Sequence, residues 1–170
     1  GIRVSPMGKK SWFLMYRNRQ NKVKRYQIGV YPIISLSEAR QLARDAMGAV
    51  IRGQDPDQEK KDYRDAPVLD DVWEKYIKSP KYTQRAAKTR GEYQRLWSGY
   101  LAPAWGDMKV VDISKSRITH LLDDIAEDTP VLANRLLSLT SVLLKFADRK
   151  GYIDSIPTVG IDPPGGTEAV

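Results

Sequence analysis

Residues 11–17 read Ser-Trp-Phe-Leu-Met-Tyr-Arg, and this run decides how the first part of the chain folds. Its large side chains alternate, so that Trp12, Leu14 and Tyr16 share one side while the residues between them share the other. A period of two residues is typical of a β-strand with two different faces. The run therefore predicts a strand that packs one face and exposes the second.

Two shorter runs flank this strand and complete a sheet. The pattern predicts strands at Ile2–Val4 and Lys24–Ile28, separated from the central run by a turn at Pro6-Met7-Gly8 and by the polar segment 18–22. Proline, glycine and short polar residues are the usual punctuation of such turns. Three antiparallel strands connected by short turns are the simplest arrangement of these elements.

An amphipathic helix follows the sheet. Ser35 stands three residues before Glu38, which is the spacing of a capping box. From Leu36 onward apolar residues recur every three or four positions, and Gly53 stands where a glycine would end the helix. Residues 1–53 are therefore predicted to form a small sheet packed on one helix.

The rest of the chain is predicted to be helical after a linker. Residues 54–66 are polar and carry charges of both signs, which indicates a solvated linker. Residues 67–156 show helical periodicity and predict a bundle of about four helices, with helix starts near Leu69, Thr83, Ser114 and Thr129. Residues 157–170 are rich in Pro and Gly and are predicted to form an unpacked tail. The predicted fold class is α+β.

The basic charge of the chain is concentrated before the predicted linker. Residues 1–53 hold 11 Lys or Arg and 2 Asp or Glu, whereas residues 67–170 hold 14 of each. An acid-free basic sheet repels itself unless a polyanion binds to it, and a nucleic acid is the most common polyanion. The candidate contact residues of the sheet are Lys9, Lys10, Arg17, Arg19, Lys22, Lys24, Arg25 and Tyr26. Trp12 and Tyr16 fit either a contact role or a packing role.

A second group of cations lies in the predicted bundle. Between Lys75 and Trp97 there are seven Lys or Arg and one acid, Glu92. This imbalance predicts a binding face within a unit that has no net charge. Weaker candidates lie on the polar side of the last helix. The candidates are Lys81, Arg85, Lys88, Arg90, Arg95, Asn134 and Arg135.

Several short motifs occur in order along the chain and resemble one known family. They are Gly8-Lys-Lys-Ser-Trp12, Tyr16-Arg17, Tyr26-Gln-Ile-Gly29-Val-Tyr31-Pro32, Ser35-Leu-Ser-Glu-Ala-Arg40, Gly53-Gln-Asp-Pro56, Lys88-Thr89-Arg90, Leu101-Ala-Pro-Ala-Trp-Gly106, Val111-Asp-Ile113 and Phe146-Ala-Asp-Arg-Lys-Gly-Tyr-Ile153. The first five resemble the arm-type DNA-binding domain of P4-like prophage and genomic-island integrases, which are tyrosine recombinases. The remaining four resemble the core-binding domain of the same family, a SAM-like helical bundle.

The resemblance implies a function and a set of partners. Such a chain would bind the arm and core sequences of double-stranded attachment-site DNA, together with other integrase protomers, in the cytoplasm of a bacterial host. It implies no membrane, no small-molecule substrate and no cofactor, and it adds Thr89 to the candidate DNA contacts. The family cuts DNA with a further C-terminal domain, and this chain stops where that domain would begin. We therefore expect no catalytic residue here and expect the chain to be a fragment.

Composition excludes other chemistry. The chain has no cysteine, so disulfides and cysteine-based zinc sites are excluded, and its single histidine, His120, makes a histidine metal site improbable. No apolar run approaches the roughly 20 residues that span a bilayer.

Two alternative functions remain open at this point. One is a binding-only accessory or regulatory protein without a recombinase domain. The other is a protein-interaction module in which Trp73, Trp97 and Trp105 line a groove for a partner.

Overall fold

The computed structural model describes residues 1–164, and the chain divides into two compact units between Asp65 and Ala66. Unit 1, residues 1–65, contains the sheet. Unit 2, which begins at Ala66, is helical. The predicted α+β fold class is confirmed.

The sheet of unit 1 has three strands in the order β1-β2-β3. The strands are β1 (Ile2–Val4), β2 (Lys10–Arg17) and β3 (Val23–Tyr31). Both neighbouring pairs are antiparallel. Directly opposed residues of antiparallel strands point to the same face, so this register determines which side chains share a surface.

A bulge interrupts the pairing of β2 with β3. Ile28 is an extra residue on β3, placed just before Gly29, which pairs with Trp12. A Cβ atom at position 29 would overlap Cδ1 of Ile34, so a larger residue there would require the Ile34 side chain to move. Trp12 Nε1 donates a hydrogen bond to the Ile34 carbonyl at 2.8 Å. The indole therefore fixes the chain beyond β3 to the sheet, which is a packing role.

The predicted helix is present as α1 (Leu36–Ile51). The Ser35 hydroxyl accepts from the Glu38 N–H at 3.3 Å, and the Ser35 N–H donates to the Glu38 carboxylate at 2.8 Å. These two bonds complete the predicted capping box. Helix α1 packs on β2 and β3 with Ala39 buried, so it covers one face of the sheet.

The segment predicted as a solvated linker, 54–66, contains a second helix of unit 1, α2 (Pro56–Asp65). Helix α2 packs on β3, and Asp57 Oδ2 lies 3.9 Å from Lys24 Nζ. Asp55 caps its first turn by accepting the backbone N–H three residues later at 3.3 Å. The linker prediction is wrong because this polar helix is held by capping and by contacts with the sheet, neither of which local composition reveals.

Unit 2 contains six α-helices in its described part. They are α3 (Leu69–Ile77), α4 (Pro80–Thr83), α5 (Ala87–Leu96), α6 (Ala102–Trp105), α7 (Lys115–Ala126) and α8 (Pro130–Arg149). A π-helical turn, Trp97–Leu101, joins α5 to α6, and a 3₁₀ turn, Val110–Asp112, precedes α7.

The helix predicted to begin near Thr83 is interrupted near its start in the structure. Pro80 begins a separate short helix, and Ala86 has an extended backbone with φ −54° and ψ 144°. The chain therefore leaves the helical conformation between α4 and α5. The predicted helices with starts near Ser114 and Thr129 are present as α7 and α8.

The core of unit 2 surrounds α8, which packs against α3, α5 and α7. Helix α8 is the one described helix long and apolar enough to cross a membrane by length and composition. Its buried residues line the core of the helical unit, among them Leu136, Leu139 and Leu143. Its apolar character is therefore explained by packing inside the unit.

The tryptophans of unit 2 belong to this core. The rings of Trp73 and Trp97 stack with centroids 4.8 Å apart and an interplanar angle of 9°. Trp105 is buried in the same cluster. The hypothesis that these three residues line a groove for a protein partner is therefore wrong.

The predicted unpacked tail, 157–170, is described only as far as Pro164. Thr158 is buried, Ile161 packs against the core, and Lys115 Nζ donates to the Gly160 carbonyl at 2.7 Å. The prediction is wrong for this part because apolar residues between the prolines return to the bundle. Residues 165–170, including Gly165-Gly166, lie outside the described residues.

Candidate nucleic-acid interface

One face of the sheet in unit 1 is left open by the helices. The register places Arg25 opposite Met15 and Gln27 opposite Phe13, so these four side chains share a face. Arg3 of β1 lies opposite Ser11 on the same side. These residues line a shallow groove, except for Met15, which is exposed beside it; Ser5 and Lys9 complete the lining. We call this surface the open face.

The open face is basic because the acidic residues of unit 1 lie elsewhere. The first acid in the chain is Glu38, so the three strands contain none. Glu38 caps α1, Asp55 caps α2, and Asp57 pairs with Lys24 and Lys61. The open face therefore has a positive potential that no strand residue offsets, which suits a polyanionic ligand.

The two types of cation segregate between the faces of the sheet. The strand cations on the open face are Arg3, Arg17 and Arg25. Lys10 and Lys24 alternate to the other side, where Lys10 Nζ lies 5.7 Å from the centroid of the Tyr31 ring. A guanidinium group offers a planar fork of donors that matches phosphate and guanine, whereas an ammonium group does not. The open face thus carries the more selective of the two cations.

The turn between β2 and β3 adds further charge at one end of the open face. Arg17 Nη1 donates to the Asn21 carbonyl at 3.1 Å, and Lys22 is exposed in the turn. Arg19 is exposed but folds toward the helix side, where its Nη2 lies 3.5 Å from the Arg52 carbonyl. Arg17 and Lys22 remain accessible to a ligand, while Arg19 mainly ties the turn to the end of α1.

Three predicted contact residues, Lys10, Lys24 and Tyr26, alternate to the covered side of the sheet. Lys24 pairs with Asp57, and Tyr26 lies under Lys60 Nζ at 5.6 Å from the ring centroid. Both side chains are half-buried against α2. Alternation along β3 turns Lys24 and Tyr26 toward the helices, and their role as DNA contacts stays a prediction.

Residues missed by the sequence prediction lie on the open face. Gln27 lines the groove beside Arg25, and Arg3 and Ser11 line it from the neighbouring strands. The alternation Arg25-Tyr26-Gln27 was the available signal, because it places the first and third residues on the same side. Gln27 carries no charge, so charge composition does not identify it.

Asp55 fixes the hairpin that carries much of this charge. Its carboxylate accepts hydrogen bonds from the Tyr16 hydroxyl and, at 3.2 Å, from Asn18 Nδ2. Burial, and then the hydrogen bond to Asp55, raise the pKa of Tyr16 to about 12. Burial alone would raise the pKa of Asp55, but the bonds from Tyr16, Asn18 and the Gln58 N–H outweigh it and lower that pKa. The contact therefore holds a neutral phenol and an ionised carboxylate.

Unit 2 presents a second basic surface on α4 and α5. Lys81, Lys88 and Arg95 are exposed. Arg85 is more constrained, because its Nε donates to the Tyr76 hydroxyl at 3.2 Å and its guanidinium lies 5.1 Å from the centroid of the Tyr93 ring. The hydrogen bond to the buried Tyr76 raises the pKa of Arg85.

The remaining candidates of unit 2 are less free. Arg90 and Thr89 are half-buried on α5, and Arg90 Nε is buried without a hydrogen-bond partner in the described structure. Arg135 Nη1 forms a 2.9 Å ion pair with Glu92, which ties α8 to α5. Asn134 is half-buried beside it, and its carbonyl accepts from the Ser138 hydroxyl. These residues border the basic surface but carry less free charge than Lys81, Lys88 or Arg95.

Metal-binding potential is absent from the described part of the chain. Within residues 1–164 no three His, Asp or Glu side chains are grouped so that they could hold a metal ion. His120 is exposed on α7.

Comparison with known proteins assigns each unit to a domain family. Residues 1–63 match the arm DNA-binding domain, and residues 69–162 match the phage integrase central domain. The integrase of Enterobacteria phage P4 is 27% identical over 165 residues, covering 92% of this chain and 36% of the relative. The prophage integrase IntA of Escherichia coli (strain K12) is 24% identical over 170 residues, covering 93% of this chain and 40% of the relative.

Solved structures share the fold. A lambda integrase dimer bound to a COC′ core site matches with a TM-score of 0.59 at 17% identity, covering 99% of this chain and 46% of that one. A lambda integrase tetramer bound to a Holliday junction matches with a TM-score of 0.60 at 17% identity, covering 99% and 48%. The chain spans less than half the length of these relatives. From the two domain matches, in this order and over nearly its whole length, the chain belongs to the phage integrase family.

Proposed function

We propose that this chain is a sequence-specific double-stranded DNA-binding part of an integrase that performs site-specific DNA integration and recombination. The observation that supports this most is the open face of unit 1, to which each of the three strands contributes an arginine while none of the strands carries an acid. A β-ribbon fits the major groove of B-DNA, which is about 12 Å wide. The open face, with Lys9 and Lys22 at its ends, has the shape and charge for that groove.

Unit 2 would bind a second DNA segment through α4 and α5. Lys81, Lys88 and Arg95 supply exposed positive charge, and Arg85 supplies an oriented guanidinium group. A preoriented guanidinium loses less conformational freedom when it binds a phosphate than a free lysine does. We therefore assign phosphate binding in this unit mainly to Arg85, with the exposed cations adding salt-dependent attraction.

The parent protein would be a tyrosine recombinase acting on attachment-site DNA in a bacterial cytoplasm, in company with other copies of itself. In this proposal another part of the parent protein cleaves the DNA, and the two units described here recognise and bind the attachment site. Their affinity comes largely from phosphate neutralisation and is strongly salt-dependent.

Selection from a random duplex library tests the proposal. The purified chain is incubated with the library at about 50 mM and about 200 mM salt, and the retained DNA is sequenced. We expect two enriched motifs and an affinity that falls about 1,000-fold or more between these concentrations, as for a protein with several phosphate contacts. Absence of retention at low salt would overturn the proposal.

A single substitution locates the surface. Arg17→Ala should weaken binding while the circular dichroism spectrum stays that of the parent. Arg40→Ala removes the same charge from an exposed position of α1, on the covered side of the sheet, and serves as the matched control. Equal weakening by both variants would show that the effect is one of net charge, against the open face as the binding surface.

A further inference from the structure

Two side chains at the centre of the open face are free to bind a ligand. Arg25 is exposed and forms no ion pair or hydrogen bond through its side chain within residues 1–164. Gln27 is exposed, and its side chain is equally free within the same residues; its backbone pairs with β2, and its carbonyl also accepts from Lys60 Nζ at 3.5 Å. By contrast, Arg17 on the same face is tied to the turn. Arg25 and Gln27 are thus the open-face groups of β3 whose donors and acceptors remain available.

The chemistry of this pair suits base edges better than phosphates. In the major groove an arginine donates two hydrogen bonds to O6 and N7 of guanine, and a glutamine pairs with N6 and N7 of adenine. A neutral amide binds a phosphate more weakly than an arginine does, because its hydrogen bond is not assisted by charge. The arginines of this face are therefore the better phosphate ligands. The presence of Gln27 inside a basic groove therefore indicates recognition of a base.

The neighbours of the pair on β2 are apolar. Met15 lies opposite Arg25 with 52% of its surface exposed, and Phe13 lies opposite Gln27, half-buried in the groove. An apolar side chain at this position can pack against the C5-methyl group of thymine when a major groove covers the face. The surface thus alternates hydrogen-bonding and apolar groups across the two strands.

The spacing along β3 limits which bases can be read together. Side chains two residues apart lie about 6.8 Å apart along a strand, and successive base pairs rise about 3.4 Å. Arg25 and Gln27 can therefore reach bases no more than about two steps apart. The bulge at Ile28 follows at once and shifts the alternation, so that Gly29 faces the helices.

We propose that Arg25 and Gln27 are the specificity-determining residues of unit 1, which read a guanine and an adenine that are adjacent or separated by one base pair. Met15 and Phe13 contact thymine methyl groups beside them, and the other cations of the unit bind phosphates. This inference rests on the proposed function, since it names the bases that the open face recognises.

Selection with variants of the full chain tests it. The parent, Arg25→Ala and Gln27→Ala are each used to select from the same random duplex library. We expect the parent motif to hold a guanine and an adenine within two steps, each preferred by about 5- to 150-fold. Arg25→Ala should lose the guanine preference alone, and Gln27→Ala the adenine preference alone.

Matched controls separate base recognition from charge and from folding. Arg40→Ala removes a guanidinium from α1, and Gln20→Ala removes an exposed amide from the turn between β2 and β3. Both controls should select the parent motif. Gln27→Glu keeps the shape and should shift the preference at its position toward cytosine, whose N4 amino group donates to a carboxylate.

The outcomes are distinguishable. If the parent selects motifs but Arg25→Ala and Gln27→Ala select the same ones, the inference fails while the proposed function stands. If the parent retains no DNA at all, the proposed function fails and the inference with it. Loss of both preferences in either single variant would also contradict the separate assignment of one base to each residue.

Discussion

The two units of the chain differ in how much apolar surface each encloses. In unit 2, α8 alone contributes eight buried residues to a continuous hydrophobic core. In unit 1 three described residues reach the same degree of burial, namely Tyr16, Ala39 and Pro56. Unit 1 therefore relies on directional polar contacts, with Asp55 and the Trp12 indole at their centre.

This difference shows where binding and stability are coupled. A small domain buries a low fraction of its surface, so single hydrogen bonds form a larger part of its net stability. In unit 1 those bonds also set the position of the basic hairpin. In unit 2 the exposed cations Lys81, Lys88 and Arg95 lie outside the core and only Arg85 contacts it, through Tyr76, so stability and binding can change more independently than in unit 1. The following experiments, from the largest expected effect to the smallest, test this contrast.

Removal of core volume from α8 should have the largest effect. Leu139 is fully buried, and Leu139→Ala should lower the free energy of unfolding of unit 2 by about 2–5 kcal/mol through lost burial and a new cavity. Urea unfolding followed by tryptophan fluorescence measures this. Leu42→Ala in α1, where the side chain is 44% exposed, is the control. It should change the free energy of unfolding of unit 1 by less than about 1 kcal/mol. Similar losses of stability in both variants would contradict the proposed difference in core packing between the two units.

Loss of the Asp55 carboxylate should be the most damaging polar change in unit 1. Asp55→Ala leaves the Tyr16 hydroxyl and Asn18 Nδ2 without their acceptor, at a cost of about 1–3 kcal/mol. Amide hydrogen exchange of β2 and β3 measures the loss. Asp45→Ala removes an exposed carboxylate on α1 that accepts from Gln41 and should leave the exchange of the strands unchanged. Unaltered protection in Asp55→Ala would show that the hairpin is held by other contacts.

The pH dependence of unit 1 should follow from the same contact. The folded-state pKa of Tyr16 is raised to about 12 from 10.0, so its contribution is fully present below pH 10 and is lost as the pH rises toward 12. The folded-state pKa of Asp55 is lowered, so its contribution is present above about pH 4 and is lost as the pH falls through the folded value.

Hydrogen exchange as a function of pH is too fast in alkali, so ultraviolet absorbance of the phenolate is the better measurement there. The difference between the parent and Tyr16→Phe isolates this one phenol among the tyrosines. We expect its ionisation to occur well above that of a free tyrosine. Ionisation of Tyr16 near pH 10 would mean that burial and the Asp55 carboxylate do not constrain it.

A change of binding without a change of stability should be possible in unit 2. Arg85→Gln removes the charge but keeps a donor for the Tyr76 hydroxyl, and it should reduce the slope of log affinity against log salt by about 0.9, the value for one phosphate. Lys78→Gln removes a charge that is already paired with Glu74 in an exposed position and is the matched control. An unchanged slope with a lowered melting temperature would assign Arg85 a structural role alone.

Much of the fold followed from local patterns. The strand alternation, the Ser35 capping box and the helices around α7 and α8 each depend on residues close in sequence. Helix α2 did not follow, because its stability comes from contacts of Asp57 and Lys60 with strand residues more than thirty positions earlier. The break at Ala86 was hidden for a related reason, since its flanking residues fit a helix equally well.

The candidate site was predicted in outline only. Charge composition indicated the sheet, and alternation separated Arg25 from Lys24, but nothing local states which side the helices cover. That choice depends on where Ile34 crosses the strand and on where α2 packs. Lys24 and Tyr26 were therefore included, and Gln27 was missed.

The alternation along β3 has a consequence for how such proteins diverge. Positions 25 and 27 lie on the open face, where we propose that DNA binds, whereas positions 24, 26 and 29 face the helices. If the proposal holds, substitutions at positions 25 and 27 can change the DNA sequence that is bound, while positions 24, 26 and 29 keep the sheet packed on the helices. Among descendants that inhabit different genomes, we expect drift and selection to vary the odd positions 25 and 27 and to retain glycine at 29.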